Sequence, residues 1–220
     1  MLKDGGTSLG LVMQIAILTF DGFNEIDSFV VCNILNRLRT RGWQAWITAP
    51  AERVSSRSGV TVEAQRPLEF AASAHAVVIG SGSKTDEIAR DKAMLGRIRL
   101  DPSRQLVASQ CSGALILNAL GLLATKRVCT DLVTKPLFAG TGIEIVDRPF
   151  HAEGNLASAG GCLASQYVAA WMMMKRADEK AARETLFQVA PVGEKDLYVD
   201  RAIAAVRPFI DPPKLQGAAS

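Results

Sequence analysis

The sequence predicts an α/β fold, a mostly parallel central sheet with helices on both faces. Three observations carry this expectation. Short apolar runs end again and again in turns built from Gly, Asp or Ser; the runs alternate with apolar stripes at three- and four-residue steps; and the order strand, tight turn, helix recurs along the chain. In such sheets ligands bind beyond the carboxyl ends of the strands, so chemistry is sought in those turns.

The elements follow in order. Residues 14–20 form an apolar run ended by Asp21-Gly22, a buried strand and a turn. From Asn24 the pattern turns helical: Ile26, Phe29, Val30, Ile34, Leu35 and Leu38 make an apolar stripe to about Arg41, and Gly42 is a natural stop. Residues 43–49 read as strand, Val60-Thr61-Val62 as a hairpin or edge element, and residues 76–79 as a buried strand running into Gly80-Ser81-Gly82-Ser83. A helix is expected over 85–100, a strand over 106–109 and a helix over 114–123. Residues 144–147 and 156–159 look like short strands, Gly160-Gly161 opens a long apolar helix through Met174, and amphipathic helices fill 179–189 and 196–206. Residues 1–12 are set aside as an extension and 208–220 as a loose tail, leaving one domain over 13–207.

Composition narrows the function classes. Twenty-five Lys and Arg against 22 Asp and Glu give a formal charge of +3, too thinly spread for nucleic acid. With 48% hydrophobic and 21% charged residues the chain is not intrinsically disordered. No apolar stretch reaches the roughly 18 residues of a membrane span, so no membrane partner is expected. Four cysteines without paired spacing point to reduced thiols and a cytoplasmic setting, where a special cysteine is chemical rather than structural.

Cys111 is the sharpest feature. It stands between an apolar strand and a helix opening on Ser112, Gly113 and Ala114, the layout of a nucleophile elbow. A helix start favours the thiolate and lowers the thiol pKa; the alternative is a small core residue. In the first strand-to-helix connection, helical spacing puts Asp27 beside Phe23, Val30 and Val31, on or next to the buried stripe. A desolvated carboxyl there is suited to general acid–base work, whereas a helix-start charge or a cap is the plainer reading. The loop Gly80-Ser81-Gly82-Ser83-Lys84-Thr85 fails as a phosphate loop because Ser83 precedes the Lys, and fails as a dinucleotide fingerprint because Thr85 replaces the third Gly. Its amides form either half of an oxyanion hole or a plain turn. His75 and His151 lack ligand spacing and are expected at the surface, so no metal is expected; Cys32, Cys129 and Cys162 are read as packing residues, and Trp171 to Met174 as core or subunit interface.

Together, Ser109-Gln110-Cys111-Ser112-Gly113-Ala114, the acidic start Asp21 to Asp27 and Ile79-Gly80-Ser81-Gly82 resemble the ThiJ/PfpI superfamily from about residue 13 to 175, with Gly121-Leu122-Leu123 and residues 153–161 as later landmarks. The Ile26-Asp27 pair and the hydroxyl residue after the cysteine look most like the isonitrile hydratase branch and the ligand-sensing domains of AraC-type regulators. The resemblance implies a flavodoxin-like, glutamine amidotransferase-like fold, a homodimer, and Cys111 as nucleophile with Asp27 as acidic partner and Ser112 as neighbouring hydroxyl. Oxyanion amides fall on Gly82 and Ser112, and Ser81 and Asp131 on the substrate side. Three positions depart from the family: Gly80-Ser81-Gly82 replaces Pro-Gly-Gly, Ser112 replaces Thr, and Cys129-Thr130-Asp131 stands where many members carry a histidine, which argues against a Cys-His-acid triad. The implied activity is a lyase-type hydration of an isocyanide to an N-substituted formamide, on a small-molecule substrate and with no cofactor. The competing readings are a ligand or redox sensor without turnover, which would need a separate DNA-binding partner because no helix-turn-helix pattern follows residue 206, and glyoxalase- or deglycase-type detoxification.

Overall fold

The computed structural model describes residues 12–123 and 126–210, so the expected extension and tail lie largely outside the described residues. Its centre is a seven-stranded sheet. The strands are β1 (Met13–Leu18), β2 (Trp43–Ala49), β5 (Arg66–Pro67), β6 (Ala76–Ile79), β7 (Leu106–Gln110), β10 (Phe150–Glu153) and β11 (Leu156–Ala159), in the order β10-β11-β7-β6-β1-β2-β5. Pairings are parallel except that of β10 with β11. Two-stranded sheets lie outside it: the antiparallel hairpin of β3 (Arg53–Ser55) and β4 (Thr61–Glu63), and the parallel pair β8 (Arg127–Val128) and β9 (Glu144–Ile145).

The central strands are apolar throughout because both faces are covered. Along β1, Met13, Ile15 and Ile17 enter one core while Ala16 and Leu18 enter the other. Helices α1 (Val31–Asn36), α5 (Ser165–Arg176), α6 (Glu179–Val189) and α7 (Lys195–Val206) supply the first core, and α4 (Gly113–Ala119) with Leu68, Ala71 and Ile98 the second. This is the flavodoxin-like sandwich expected from the sequence. Chain direction across the sheet reverses between β1 and β6, which opens a crevice at their carboxyl ends.

Several local expectations change. The first helix is not continuous: a π-helical turn at Ile26–Val30 precedes α1, and a 3₁₀ turn at Arg39–Arg41 follows before Gly42 stops it at φ 84°. Ile26, expected on the apolar stripe, is 43% exposed, whereas Val31 is fully buried. The helix expected over 85–100 breaks into α2 (Thr85–Arg90) and α3 (Lys92–Arg97), because Asp91 turns extended and accepts hydrogen bonds from the amides of Ala93 and Met94 at 2.9 and 3.0 Å. His75 is exposed as expected. His151 is not: it lies on β10, a strand the sequence pattern missed, buried against Phe209 with Nε2 3.1 Å from Glu153. The Trp171, Met172 and Met173 run is core.

Candidate active site

The carboxyl ends of β1, β6, β7 and β11 meet at one place. Cys111 follows β7 at φ 47°, the one non-glycine residue with positive φ among the described residues, a conformation costing on the order of 1–3 kcal/mol that the surroundings must hold. They do so with backbone bonds. The Cys111 amide donates to Ala159 at 2.9 Å, and its carbonyl accepts from Thr130 Oγ1 at 2.8 Å and from the Ala114 amide at 3.3 Å. Gly113 then lets α4 sit against the end of β6, since a Cβ there would lie 2.5 Å from the Ile79 carbonyl oxygen. The elbow read from Ser109 to Ala114 is therefore formed.

Asp27 reaches the same spot from the π-helical turn, a wider, under-wound segment of the kind found at functional sites. It is fully buried, and Gln110, also fully buried, fixes its backbone: Gln110 Nε2 donates to the Asp27 carbonyl, while Ser165 Oγ donates to Gln110 Oε1 at 2.6 Å. One carboxylate oxygen of Asp27 and the sulfurs of Cys111 and Cys162 lie within 4.8 Å of one another. Ser81 and both thiols flank the carboxyl, yet neither oxygen has a partner at hydrogen-bonding geometry. Burial pushes the Asp27 pKa up, the nearby charge of Asp131 adds to this, and Ser81 and the two thiols partly oppose it.

The electrostatics correct one expectation. Burial first, then Asp27, Cys162 and Asp131, push the Cys111 thiol above its ordinary range instead of lowering it. The reason is geometric: α4 has only seven residues, and the groups closest to the sulfur are acidic. Two buried acids in contact hold a proton between them more tightly than either would in water. The same cause, burial, raises Cys32 to about 11 and Cys129 to about 12.

The remaining expected residues surround the sulfur. Ser81, Gly82, Ser112 and Asp131 line, with Cys111, a cleft of about 400 Å³. Gly82 passes so close to Gly22 that a Cβ would stand 2.6 Å from the Gly22 oxygen, and its amide points at Ser112 Oγ 3.4 Å away, a long contact that a ligand can replace. Asp131 is tied down elsewhere: its carboxylate accepts from the amides of Val133 and Thr134, both at 3.0 Å, and from Thr134 Oγ1 at 2.7 Å, so it shapes the rim and acts on Cys111 through its charge. Glu25 turns away to Ser56 and Ser58, and Asp21 to the Ser55 amide.

Sequence reasoning missed three residues. Cys162, read as packing, faces Cys111 across the cleft, and Asn24 Nδ2 donates to its sulfur at 3.1 Å. Gln110 was visible only as part of the elbow motif. No spacing rule finds these, because the end of the sheet and not the chain brings them together; for the same reason the spacing argument against metal ligands does not reach the trio Asp27, Cys111 and Cys162.

The comparisons with known proteins agree with this geometry. Among solved structures the chain is similar to a THiJ/PfpI family protein from Pseudomonas syringae, at 21% identity and a TM-score of 0.69 over 99% of this chain and 86% of that one. It is also similar to a DJ-1 superfamily protein from Salmonella typhimurium solved as a cysteine-to-alanine variant, at 24% identity and a TM-score of 0.68 over 80% and 97% of the two chains. For DJ-1beta of Drosophila melanogaster the figures are 18%, 0.71, 81% and 98%. At these identities the likeness speaks for the fold alone. No curated protein matches the chain. The family profile described as the DJ-1/PfpI family matches residues 13–174, which run from the first residue of β1 into α5 and contain both the elbow cysteine and the buried aspartate, and so the chain belongs to the DJ-1/PfpI family.

Proposed function

We propose that the protein is a cysteine-dependent hydratase of small, uncharged electrophiles, and that isocyanides are the substrate class. The observation that carries this reading is the pairing at the cleft floor: a strained elbow thiol beside a fully buried carboxyl whose oxygens have no hydrogen-bond partner. Leu115, Val133 and Leu137 give the cleft apolar walls, which suit an alkyl or aryl isocyanide.

In the first step Asp27, as carboxylate, takes the Cys111 proton while sulfur bonds to the terminal isocyanide carbon. The proton then passes from Asp27 to that carbon, leaving a thioimidate, R–N=CH–S–Cys111. Next Asp27 removes a proton from water as its oxygen adds to the same carbon, and returns it to nitrogen. Finally the hydroxyl proton moves to Asp27, C=O forms, the C–S bond breaks, and the departing sulfur recovers its proton. The sum is R–NC plus water to R–NH–CHO. Burial raises the Asp27 pKa and so favours its taking up a proton, which suits a group that takes and returns a proton three times in the cycle. Ser112 and the Gly82 amide face the substrate side and orient developing charge. The reading includes a homodimer in the cytoplasm.

The test is formamide production by the purified protein from a panel of isocyanides, with glyoxals and amides run in parallel. Turnover of isocyanides that Cys111→Ala abolishes supports the reading. Turnover of glyoxals alone, or isocyanide turnover unchanged in Cys111→Ala, refutes it.

A further inference from the structure

Cys162 has no part in that chemistry, yet its sulfur faces the nucleophile. We infer that Cys111 and Cys162 form a reversible disulfide when the protein meets a peroxide, which makes Cys162 the resolving partner that keeps the elbow cysteine from irreversible oxidation. This goes beyond the hydratase reading, since a protein that turned over no isocyanide would form the same bond.

Four observations carry it. The two sulfurs lie within 4.8 Å of each other, whereas bonded sulfurs are about 2.05 Å apart, so they must close by less than 3 Å. The chain before Cys162 is built to allow this. Gly160 is pinned, its Cβ position only 2.5 Å from the Thr130 oxygen, but Gly161, at φ 88°, has no atom within 4 Å of its Cβ position and serves as the hinge. Access is graded: Cys111 is 3% exposed at the floor of the cleft, while Cys162 is half-buried at its wall. Lastly, the Asn24 amide donates to the Cys162 sulfur at 3.1 Å and holds it toward the cleft, partly opposing the upward push that burial and Asp27 give this thiol. The other two cysteines are elsewhere: Cys32 contacts the Ala45 carbonyl and Asn36, and the Cys129 amide donates to Ser158 Oγ.

Asp27 takes the Cys111 proton, sulfur attacks one peroxide oxygen, the O–O bond breaks, and the departing oxygen recovers the proton as water or alcohol. Cys111 is left as a sulfenic acid, oxidised by two electrons. The Cys162 thiol passes its proton to Asp27 and attacks the Cys111 sulfur; the S–O bond breaks, and hydroxide leaves with that proton as water. The peroxide is reduced and two thiols become one disulfide. The bond removes the nucleophile and narrows the cleft, and an external dithiol reverses it.

The full-length protein is treated with hydrogen peroxide and mapped by non-reducing peptide mass analysis. The expected product is a cross-linked peptide pair containing Cys111 and Cys162, lighter by about 2 Da and released by dithiothreitol, with Cys32 and Cys129 still alkylatable. In Cys162→Ser, and in Cys162→Ala as a second variant checked for an unchanged melting curve, Cys111 is instead trapped as sulfenic acid by dimedone and then gains about 32 Da as sulfinic acid. Direct sulfinic acid formation at Cys111 in the unmutated protein while Cys162 stays reduced overturns the inference. So does a disulfide that uses Cys32 or Cys129, or loss of neither thiol.

Discussion

Changing Gly113 to alanine tests whether the close approach of α4 to the sheet sets the position of the nucleophile. An added Cβ would stand 2.5 Å from the Ile79 carbonyl oxygen and 2.9 Å from that of Gly80, where ordinary contact begins near 3.4 Å. Both obstacles are backbone at the end of a central strand, so the elbow itself must retreat by about 0.9 Å, the gap between 2.5 and 3.4 Å. Over-packing of this kind costs about 1–3 kcal/mol, offset by up to about 1 kcal/mol from alanine's better helix propensity. A net loss of about 1–2 kcal/mol lowers the melting temperature by roughly 2–8 °C in a chain of this size. Misplacing reacting groups by about 1 Å costs on the order of 10²-fold in rate, so turnover should fall much further than stability. The control is Gly96→Ala in α3, exposed and with no atom near its Cβ position; it should gain about 0.5–1 kcal/mol and leave turnover alone. Differential scanning calorimetry and isocyanide turnover read both variants. Native stability and native turnover in Gly113→Ala would refute the reasoning.

Further expectations follow from the same site. Because burial raises the Asp27 pKa, ionising it costs the folded state as pH rises; Asp27→Asn should therefore be the more stable protein above the folded pKa, with the gap closing below the ordinary value of 3.8, as denaturant titrations at several pH values would show. The same variant should lose about 10²–10⁴-fold in turnover. Asp131→Ala removes one of the charges that raise the Cys111 pKa, so alkylation of Cys111 at a fixed pH should quicken, while loss of the turn's three hydrogen bonds lowers the melting point by a few degrees. Gln110→Leu strips the Asp27 carbonyl of a buried donor and should cost about 1–3 kcal/mol in urea unfolding, with reduced turnover. Light scattering at micromolar concentration should give the mass of a dimer, and a monomer mass alone would remove that part of the proposal.

What could be read in the sequence depended on whether a feature was local. Ala76–Ile79 and Leu106–Gln110 were legible because strands covered on both faces are apolar without interruption. Cys111 was legible because Ser112, Gly113 and Ala114 betray a tight strand-to-helix turn. Phe150–Glu153 escaped because its membership in the sheet rests on antiparallel pairing to β11, and its buried histidine reads as a surface residue. The break at Asp91 escaped because an internal cap looks like any acidic helix residue. Cys162 and the upward push on the Cys111 thiol were out of reach for one shared reason: each depends on which groups the ends of β1, β7 and β11 bring together, and periodicity holds no information about that.

The central claim is that Cys111 and Asp27 work as one proton-sharing pair, and the pH dependence of Cys111 alkylation in the native protein and in Asp27→Asn tests it most directly. The account expects the native inflection above the ordinary thiol range of about 8.5, with Asp27→Asn shifting it down, yet leaving it raised by burial. Superimposable profiles, or a native thiol that ionises below the ordinary range, would contradict the pairing.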